Sequence, residues 1–453
     1  MKIDEAMVLM EPYLSQGDMD KVALILSDLA PVDIGEILKE LGPARMAPIL
    51  QCLPEEIAGD VLNYVDPEYF AQIIKDLGEE KSAALLDAMY LDDVADILGE
   101  LTKREQDEVL NLMELEDASD VRELMYYPED TAGSLMTTEF VALNKRMTAQ
   151  KAIDTLRANA PDAETVYYVY VVDDENVLVG VLSLRQLIVA SPDALVEQIM
   201  RLRVLSVNAY TDQEEVASVV SKYDLLAVPV VDNSSRLLGI ITVDDIIDVL
   251  EEEATDDILR MGGANADELE EEADFHLRIY TAVKSRLPWL LITLFGGLIA
   301  GTIMRNIEAE LQAVVALAYF IPLLLGMGGN VGTQSSTVTV RGLSTGQVDP
   351  MQLFGNVLKE ACVGFIVGGV CAVLIGLIAY LWQGNLVLSL VVGIALIFNM
   401  ATAATVGTFV PLALKRVNID PAVASAPFIS TSIDVVGLLI YSILAAIFIP
   451  LMS

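Results

Sequence analysis

One acidic residue, Asp434, lies inside an otherwise uncharged apolar run. In this segment, DPAVASAPFISTSIDVVGLLIY, the residues Pro427, Thr431 and Asp434 share one helical face through their i, i+4, i+7 spacing. An ionised carboxylate in a bilayer core is costly, so it normally faces a polar pathway. The other uncharged runs contain no Lys or Arg to pair with it. We predict a mobile cation as its counter-charge; the alternative is a protonated acid that hydrogen-bonds a neighbouring helix.

Acidic residues also recur one helical turn apart in the first 276 residues. Like charges at i, i+3 or i, i+4 adjoin on one helix face, which destabilises the helix unless a cation lies between them. Oxygen ligands without His or Cys favour Mg²⁺ or Ca²⁺ over zinc. These pairs are therefore candidate divalent-cation sites. They are Asp92 with Asp96, Asp245 with Asp248, and Glu253 with Asp256.

The few His and Cys residues exclude other kinds of site. A single His, His276, is incompatible with a His-rich zinc site or an HExxH membrane protease. Three Cys residues in 453 do not make a disulfide framework, which fits a reducing compartment for the N-terminal part. The N-terminus MKIDEAMVLMEPY also lacks the basic and apolar regions of a cleaved signal.

The net charge of −39 divides very unevenly along the chain. Residues 1–276 carry 60 acids and 19 bases, a balance of −41, whereas residues 277–453 carry 6 acids and 8 bases, a balance of +2. Such acidity disfavours binding to nucleic acid or to an anionic bilayer surface and implies a cationic partner. Two chemically different parts therefore join near residue 276.

The second part contains four uncharged runs, interrupted inside only by Asp434. They cover residues 287–304, 311–340, 361–414 and 421–453. Because one crossing takes about 20 residues, the third run must hold two spans, divided at residues 383–385. We predict an α-helical membrane domain of five transmembrane helices over 277–453, embedded in a lipid bilayer.

Basic residues that flank these spans predict the orientation. Six of them lie on the side of the acidic part, and only Arg305 lies on the other. Because Lys and Arg accumulate on the cytoplasmic side, we expect the acidic part in the cytoplasm and the C-terminus outside. The six are Lys284, Arg286, Arg341, Lys359, Lys415 and Arg416.

The second span contains the glycine-rich segment GMGGNVGTQSSTVTV, residues 326–340. Its glycines permit irregular backbone, and Asn330, Thr333 and Gln334 offer oxygens that could line water. The favoured alternative is tight helix packing through small residues. We expect packing also at the GxxxG pairs Gly297 with Gly301 and Gly364 with Gly368.

Two kinds of repeat organise the acidic part. From about residue 29 to 125, amphipathic helical pieces begin at Pro or Asp, and the hexads DIGEIL (33–38) and DVADIL (93–98) match. Strand patterns are not found there. We predict an all-α, solenoid-like N-terminal domain over 1–130, built from short stacked helix pairs.

The second repeat carries strands. VYVVDDENVLVGVLSL (169–184) recurs as AVPVVDNSSRLLGIITV (227–243), an offset of 59 residues. These copies resemble a tandem pair of α+β CBS domains, at 131–197 and 198–254, a module that often binds adenosine nucleotides. In the second copy, Thr242 and Asp245 are similar to the family's ribose-binding Thr-x-x-Asp pattern, so ATP is an expected ligand. The first copy has Ser183 and Gln186 there, which leaves at most one nucleotide site.

An acidic helix and linker, residues 244–276, connect this module to the first span. We interpret its acid run at 267–274 as a solvated surface.

The complete order, with GGNVGTQ in the second span and DPAVASAPFISTSID in the last, resembles the MgtE family of magnesium channels. The resemblance implies a homodimer in the bacterial inner membrane whose pore follows the subunit interface, where Asp434 of both chains holds hydrated Mg²⁺ and Asn330 lines the pore. It further implies a plug helix at about 244–261 and a set of cytosolic Mg²⁺ ligands. This set is Asp92, Asp96, Glu214, Asp224, Asp245, Asp248, Glu253, Asp256, Asp257 and Asp420.

Feedback gating follows from this arrangement. Cytosolic Mg²⁺ would draw the acidic domains together and hold the acidic helix against the pore. About five sites at roughly ten times their Kd would supply roughly 7 kcal/mol. This exceeds the roughly 5.5 kcal/mol that turns a two-state equilibrium from 1:99 to 99:1.

Other functions remain open at this point. A channel for other divalent cations has the same chemistry. A nucleotide-gated anion channel can also carry CBS pairs, but those follow a larger membrane domain, and Asp434 would repel anions. A membrane enzyme is disfavoured because no nucleophile and base pair is evident, and the Gly-Met-Asn signature of CorA channels is absent.

Overall fold

The computed structural model describes residues 3–159, 163, 165–265, 268, 275–306, 308, 314–424 and 426–451. It divides into two compact units, Met1–Leu250 and Glu251–Ser453.

Ten short helices form residues 3–124, all of which are described. Several begin at a proline that supplies the helical φ of the first turn, as Pro31 and Pro67 do. Gly42 and Gly78, with φ of 79° and 81°, end helices in backbone that favours glycine. The helices are α1 (Ile3–Gln16), α2 (Met19–Leu26), α3 (Pro31–Leu41), α4 (Pro43–Cys52), α5 (Glu55–Leu62), α6 (Pro67–Leu77), α7 (Glu79–Leu86), α8 (Leu91–Gly99), α9 (Lys103–Leu110) and α10 (Leu115–Leu124).

Alternate helices of this series stack on one another: α2 contacts α4, α3 contacts α5, α4 contacts α6 and α5 contacts α7. Their inward faces bury apolar side chains such as Ile34, Leu38 and Phe70 completely. Burial of each face therefore requires the next helix pair, and the predicted solenoid-like fold is confirmed.

The next 130 residues form two copies of one α+β pattern. In the first, β1 (Ala142–Asn144) pairs parallel to β2 (Tyr168–Val172), which pairs antiparallel to β3 (Leu178–Ser183). In the second, β4 (Val207–Asn208), β5 (Ala227–Val231) and β6 (Leu237–Thr242) repeat this order. The helices are α11 (Ala149–Asn159), α12 (Leu184–Val189), α13 (Val196–Ile199), α14 (Gln213–Tyr223) and α15 (Val243–Gly262).

The two copies exchange their leading segments. Thr137, which precedes β1 in the first copy, exchanges backbone hydrogen bonds of 2.8 and 3.0 Å with Ile240 of β6. Arg201, which precedes β4 in the second copy, exchanges bonds of 3.0 and 2.9 Å with Val181 of β3. Each sheet is therefore completed by the other copy, so the tandem pair is one interlocked body.

Five helices of the second unit, among the described residues, are long and apolar enough to span a bilayer. Gly384, with φ of 65°, and the capping side chain of Asn385 separate the third from the fourth, at the predicted division. The five predicted spans are therefore confirmed. They are α16 (Phe275–Asn306), α17 (Ile321–Ser344), α18 (Leu353–Gln383), α19 (Leu386–Arg416) and α20 (Ala426–Phe448).

The glycine-rich segment is helical: α17 is continuous through residues 321–344, so the favoured alternative of tight helix packing is confirmed and irregular backbone is not found there. Its glycines permit close packing instead. A Cβ on Gly332 would collide with Ile433 of α20, and a Cβ on Gly407 of α19 would collide with the Gly332 carbonyl group. The helical hydrogen bonds are thus kept while three helices approach one another closely.

The two GxxxG pairs differ. A Cβ on Gly364 would lie 2.6 Å from the Met400 carbonyl oxygen, and one on Gly368 would lie 3.0 Å from the Ile397 Cα, so packing of α18 on α19 is confirmed. Added Cβ atoms on Gly297 and Gly301 would meet nothing within 4 Å among the described residues. Within the described chain, packing at that second pair is not found.

The strand exchange can be tested at Gly239. A Cβ there would lie 2.6 Å from the Thr137 carbonyl oxygen and 2.8 Å from Met136 Sδ. This carbonyl belongs to the exchanged segment. Gly239→Ala should therefore lower the free energy of local opening of β6 by about 1–3 kcal/mol. Hydrogen exchange of β6 peptides in the full chain measures this change.

Gly99→Ala is the matched control. A Cβ on Gly99, at the end of α8, meets nothing within 4 Å of the described residues. Exchange in β6 should be unchanged in this variant, and equal acceleration in both variants would contradict the explanation.

Candidate functional site

The intramembrane acid Asp434 lies in α20 and is half-buried. No described residue forms a hydrogen bond or ion pair with its side chain. The alternative of a protonated acid bonded to a neighbouring helix therefore finds no partner among the described residues. Its charge is left for a group outside this part of the chain.

Helix α20 packs directly on α17, which carries Asn330. A Cβ on Gly329 would contact Ser430 at 3.4 Å, and Gly332 meets Ile433. Asn330 and Asp434 thus each follow directly after a residue of this helix contact. Asn330 itself is exposed in the described chain.

The other residues of the predicted polar face pack elsewhere. Thr431 is 8% exposed, its methyl group meets Gly296 of α16, and its hydroxyl group has no partner among the described residues. Pro427 would contact a Cβ on Gly263 at 3.5 Å. Of the three residues predicted to share this helical face, Pro427, Thr431 and Asp434, only Asp434 can carry charge into the span.

The sequence analysis missed one acid near this region. Glu360, in α18, accepts a hydrogen bond of 3.1 Å from Ser335 Oγ of α17. Glu360 directly precedes the third uncharged run, which begins at Ala361, so the search within the runs did not include it. Only the tertiary arrangement of the helices brings Glu360 within hydrogen-bond distance of this buried serine.

In the first unit, six carboxylates line one cavity of 590 Å³ together with Asn63 and Thr242. The predicted Asp92, Asp245 and Asp248 are among them. Helices α5, α8 and α15 supply all six: Asp60, Asp92, Asp93, Asp244, Asp245 and Asp248.

Burial shifts the protonation of these acids. Desolvation, then the charge of Asp93, raises the pKa of Asp92 to about 6. Desolvation also raises the pKa of Asp93 to about 6, despite a hydrogen bond from Asn63, and that of Asp245 to about 6, despite one from Thr242. Desolvation and the neighbouring Asp92 raise the pKa of Asp96, although this side chain keeps an exposed surface. Each of these acids favours a nearby cation over its bare ionised form.

One observation supports divalent-cation binding here. Asp92 is 8% exposed, and its Oδ1 atom is buried without a hydrogen-bond partner in the described chain. No three His, Cys, Asp or Glu side chains of the described residues are arranged to hold one ion by themselves.

Asp60, Asp93, Asp244 and Asn63 line the same cavity and are functional candidates that the sequence analysis missed. The one-turn spacing could have found all three acids. Asp93, which opens the matching hexad, precedes Asp96 by three residues, Asp60 follows Glu56 by four, and Asp244 precedes Asp248 by four. Asn63 has no local charge pattern, since the stacking of α5 on its neighbours brings it to the cavity.

A second group of predicted ligands meets at the end of α15, within the second unit. Arg260 lies between two of them: its Nε is 2.7 Å from Asp256 Oδ2, and its Nη1 is 2.5 Å from Asp420 Oδ2. Asp257 accepts a 2.9 Å hydrogen bond from Ser344 Oγ. Desolvation, partly offset by this bond, raises the pKa of Asp257. Arg260, which the sequence analysis did not consider, is thus the cation of this group. The charge of Glu253 also acts on Arg260 and favours its protonated form.

Two further predicted ligands lie at opposite ends of one helix. Glu214 lies in the first turn of α14, whereas Asp224 is its C-cap, with φ of 51° and ψ of 47°. Ten residues of helix place them about 15 Å apart. Within one chain these two side chains do not share a site.

The predicted nucleotide motif has a local structural role. Thr242 Oγ1, just before α15, donates a 2.8 Å hydrogen bond to Asp245 Oδ2. In the first copy, Ser183 and Gln186 form a capping box at the start of α12. Both copies therefore use this spacing at a helix N-terminus, and nucleotide binding by Thr242 and Asp245 stays a prediction.

Five apolar helices with a half-buried acid, joined to an acidic unit with paired CBS folds, define a membrane protein for cation transport. Family comparison agrees: residues 321–444 match "Divalent cation transporter", residues 29–130 match "MgtE intracellular N domain", and residues 132–193 and 196–252 match "CBS domain". The chain belongs to the MgtE family. It is a transporter and not an enzyme, and the family argues against the anion-channel alternative.

Curated relatives are magnesium transporters MgtE. The Bacillus subtilis protein is 41% identical over 329 residues, which cover 73% of this chain and 72% of that protein. The Thermus thermophilus protein is 44% identical over 321 residues, which cover 71% and 70%.

Two solved structures resemble the soluble part. One is the soluble part of a magnesium transporter, with 37% identity and a TM-score of 0.52, covering 56% of this chain and all of that one. The other is the cytosolic domain of the Mg²⁺ channel MgtE in complex with ATP, with 40% identity and a TM-score of 0.51, covering 54% and 99%.

The acidic cavity predicts a pH-dependent stability. The folded-state pKa of Asp92 is about 6, against an ordinary value of 3.8. Between these two pH values the folded state binds more protons than the unfolded state. The free energy of unfolding therefore falls as pH rises from about 3.8 to about 6. Without Mg²⁺ at pH 8, Asp92→Asn should raise the free energy of unfolding by about 1–3 kcal/mol. Thermal unfolding of the full chain in chelator measures this gain.

Glu40→Gln, the same charge change at an exposed site on α3, should leave the unfolding temperature nearly unchanged. Added Mg²⁺ should stabilise the parent chain more than Asp92→Asn. A destabilised Asp92→Asn variant in chelator would refute the cation-site interpretation.

Proposed function

We propose that the chain is a Mg²⁺ channel for magnesium uptake, with Asp434 as the central residue of its pathway. The half-buried carboxylate without a partner among the described residues carries this proposal, and the names of the relatives support Mg²⁺ as its cargo. Mg²⁺ gives up its waters reluctantly. A wide constriction with acidic and amide oxygens suits such an ion, and Asp434 with Asn330 would supply them.

The pathway follows the interface of a homodimer, so that each chain contributes one Asp434 and one Asn330. Two carboxylates facing one ion would balance its charge. Because oxygen ligands do not by themselves separate Mg²⁺ from Mn²⁺, Co²⁺ or Ca²⁺, a broader divalent-cation channel is the second candidate.

The protein resides in the bacterial inner membrane with residues 1–276 in the cytoplasm and the C-terminus outside. The six basic residues on one side of the spans, against Arg305 on the other, support this orientation.

Cytosolic Mg²⁺ closes the channel by binding the acidic sites of residues 1–130, the CBS copies at 131–197 and 198–254, and the acidic segment 244–276. The cavity of six carboxylates, with buried Asp92 Oδ1, supports one such site. The cluster of Asp256, Asp257 and Asp420 supports another, in which Mg²⁺ would compete with the guanidinium of Arg260. Glu214, Asp224, Asp248 and Glu253 are further proposed ligands.

ATP is a proposed regulatory ligand of the second CBS copy, through Thr242 and Asp245. The related cytosolic domain in complex with ATP supports this proposal.

Substitution of Asp434 tests the pathway. Asp434→Ala removes the only acid inside the uncharged runs, so Mg²⁺ uptake into vesicles that contain the reconstituted chain should fall to background. A fluorescent Mg²⁺ indicator inside the vesicles measures the flux. Thr302→Ala is the control. In the described chain the Thr302 hydroxyl group donates its hydrogen bond to the Leu298 carbonyl oxygen of the same helix, α16, so this variant should retain flux. Normal flux in Asp434→Ala would remove Asp434 from the pathway.

Limited proteolysis tests the sensor. Because bound Mg²⁺ would draw the acidic helices together, cleavage within residues 100–260 should slow as Mg²⁺ rises. Asp245→Asn removes one cavity charge and should raise the Mg²⁺ concentration for half-protection by roughly tenfold. Identical cleavage of the parent chain with and without Mg²⁺ would refute feedback through these domains.

A further inference from the structure

The most deeply buried amide of the membrane unit lies between the two helices that carry the proposed pathway residues. Asn399, in α19, is 2% exposed. Its amide contacts both α17 and α20. A polar side chain at this depth is costly unless it forms bonds that an apolar residue could not.

The amide nitrogen makes one such bond. Asn399 Nδ2 donates a 2.6 Å hydrogen bond to the Leu324 carbonyl oxygen. Leu324 lies in α17, six residues before Asn330. This bond fixes the height of α17 against α19, because sliding along the helix axis would break it.

The amide oxygen faces the other helix. A Cβ on Gly437 of α20 would lie 2.6 Å from Asn399 Oδ1, and the three nearest atoms to that Cβ all belong to Asn399. On α17, a Cβ on Gly328 would lie 2.6 Å from Asn399 Nδ2. Oδ1 is buried and accepts no hydrogen bond from the described residues. Two glycines thus make room for one amide.

These glycines lie close to the pathway residues in sequence. Gly328 is two residues before Asn330, and Gly437 is three residues after Asp434. The amide therefore occupies the space that determines how near α17 and α20 approach. A change of its size or bonding moves the helices that carry Asn330 and Asp434.

We propose that Asn399 is a positioning residue that sets the separation and register of α17 and α20, and thereby the ion selectivity of the pathway. This inference rests on the proposed Mg²⁺ channel function. Asn399 does not touch the ion; it acts through the two helices. Its signature is a change in selectivity rather than only a loss of folded protein.

Asn399→Leu keeps a side chain of similar shape and removes both polar atoms, so it deletes the bond to Leu324 while the space between α17 and α20 stays filled. The full chain is reconstituted in vesicles, and Mg²⁺ and Mn²⁺ uptake are measured at several concentrations. The Mn²⁺ to Mg²⁺ uptake ratio, or the concentration for half-maximal Mg²⁺ flux, should change by at least about threefold. Flux is normalised to the folded protein in each preparation.

Ser389→Ala is the matched control. Ser389 is a buried hydroxyl on the same helix, 5% exposed, whose hydrogen bond goes to Asn385 ahead of α19 and to neither α17 nor α20. It should leave the uptake ratio and the half-maximal concentration unchanged.

A pair of substitutions tests the contact between Gly437 and the Asn399 amide independently of Asn399→Leu. Gly437→Ala places a methyl group against the Asn399 amide and should disturb flux or selectivity. In Asn399→Ala the amide is gone, so the added methyl group of Gly437→Ala meets no amide. The double variant should therefore show the same flux and selectivity as Asn399→Ala alone. Strictly additive defects would overturn the proposed contact.

The two levels of the proposal fail differently. A parent chain without Mg²⁺ uptake refutes the channel function and this inference with it. Normal parent uptake with parent-like selectivity and concentration dependence in Asn399→Leu refutes the positioning role alone.

Discussion

A carboxylate inside the bilayer without a basic partner in the uncharged runs is the constraint on which the rest of this structure depends. Asp434 needs a counter-charge, because an isolated ionised acid in low dielectric is costly. Among the described residues no side chain supplies one. In the proposed channel a mobile cation would supply this charge, and the helices around Asp434 would hold a polar space open within an apolar domain.

The same physics recurs in the acidic unit. Carboxylates from α5, α8 and α15 face one cavity, and burial raises the pKa of Asp92, Asp93 and Asp245. Such a cluster is strained when ionised and relaxes when a cation binds. At the end of α15, Arg260 provides that charge between Asp256 and Asp420. In the proposed channel, cation binding to these acids would be coupled to the arrangement of the domains.

Close helix packing gives the membrane unit its precision. Gly328, Gly332 and Gly437 remove side chains where α17, α19 and α20 meet, and the amide of Asn399 fills part of that space. Without a hydrophobic driving force between helices in lipid, shape and interhelical hydrogen bonds set their separation. Residues that carry no charge can therefore determine the geometry around Asp434.

The sequence alone determined the division of charge, the repeats, the five spans and the acid Asp434, because hydropathy, periodicity and net charge are local properties. The family resemblance supplied most proposed ligands. Tertiary structure decided which acids meet. It brought Asp60 of α5 and Asp245 of α15 to the cavity that Asp92 lines, placed Arg260 between two predicted ligands, and set Glu214 and Asp224 at opposite ends of α14. It also made the glycine-rich segment a packed helix. These contacts depend on how helices distant in sequence stack, which no local spacing encodes.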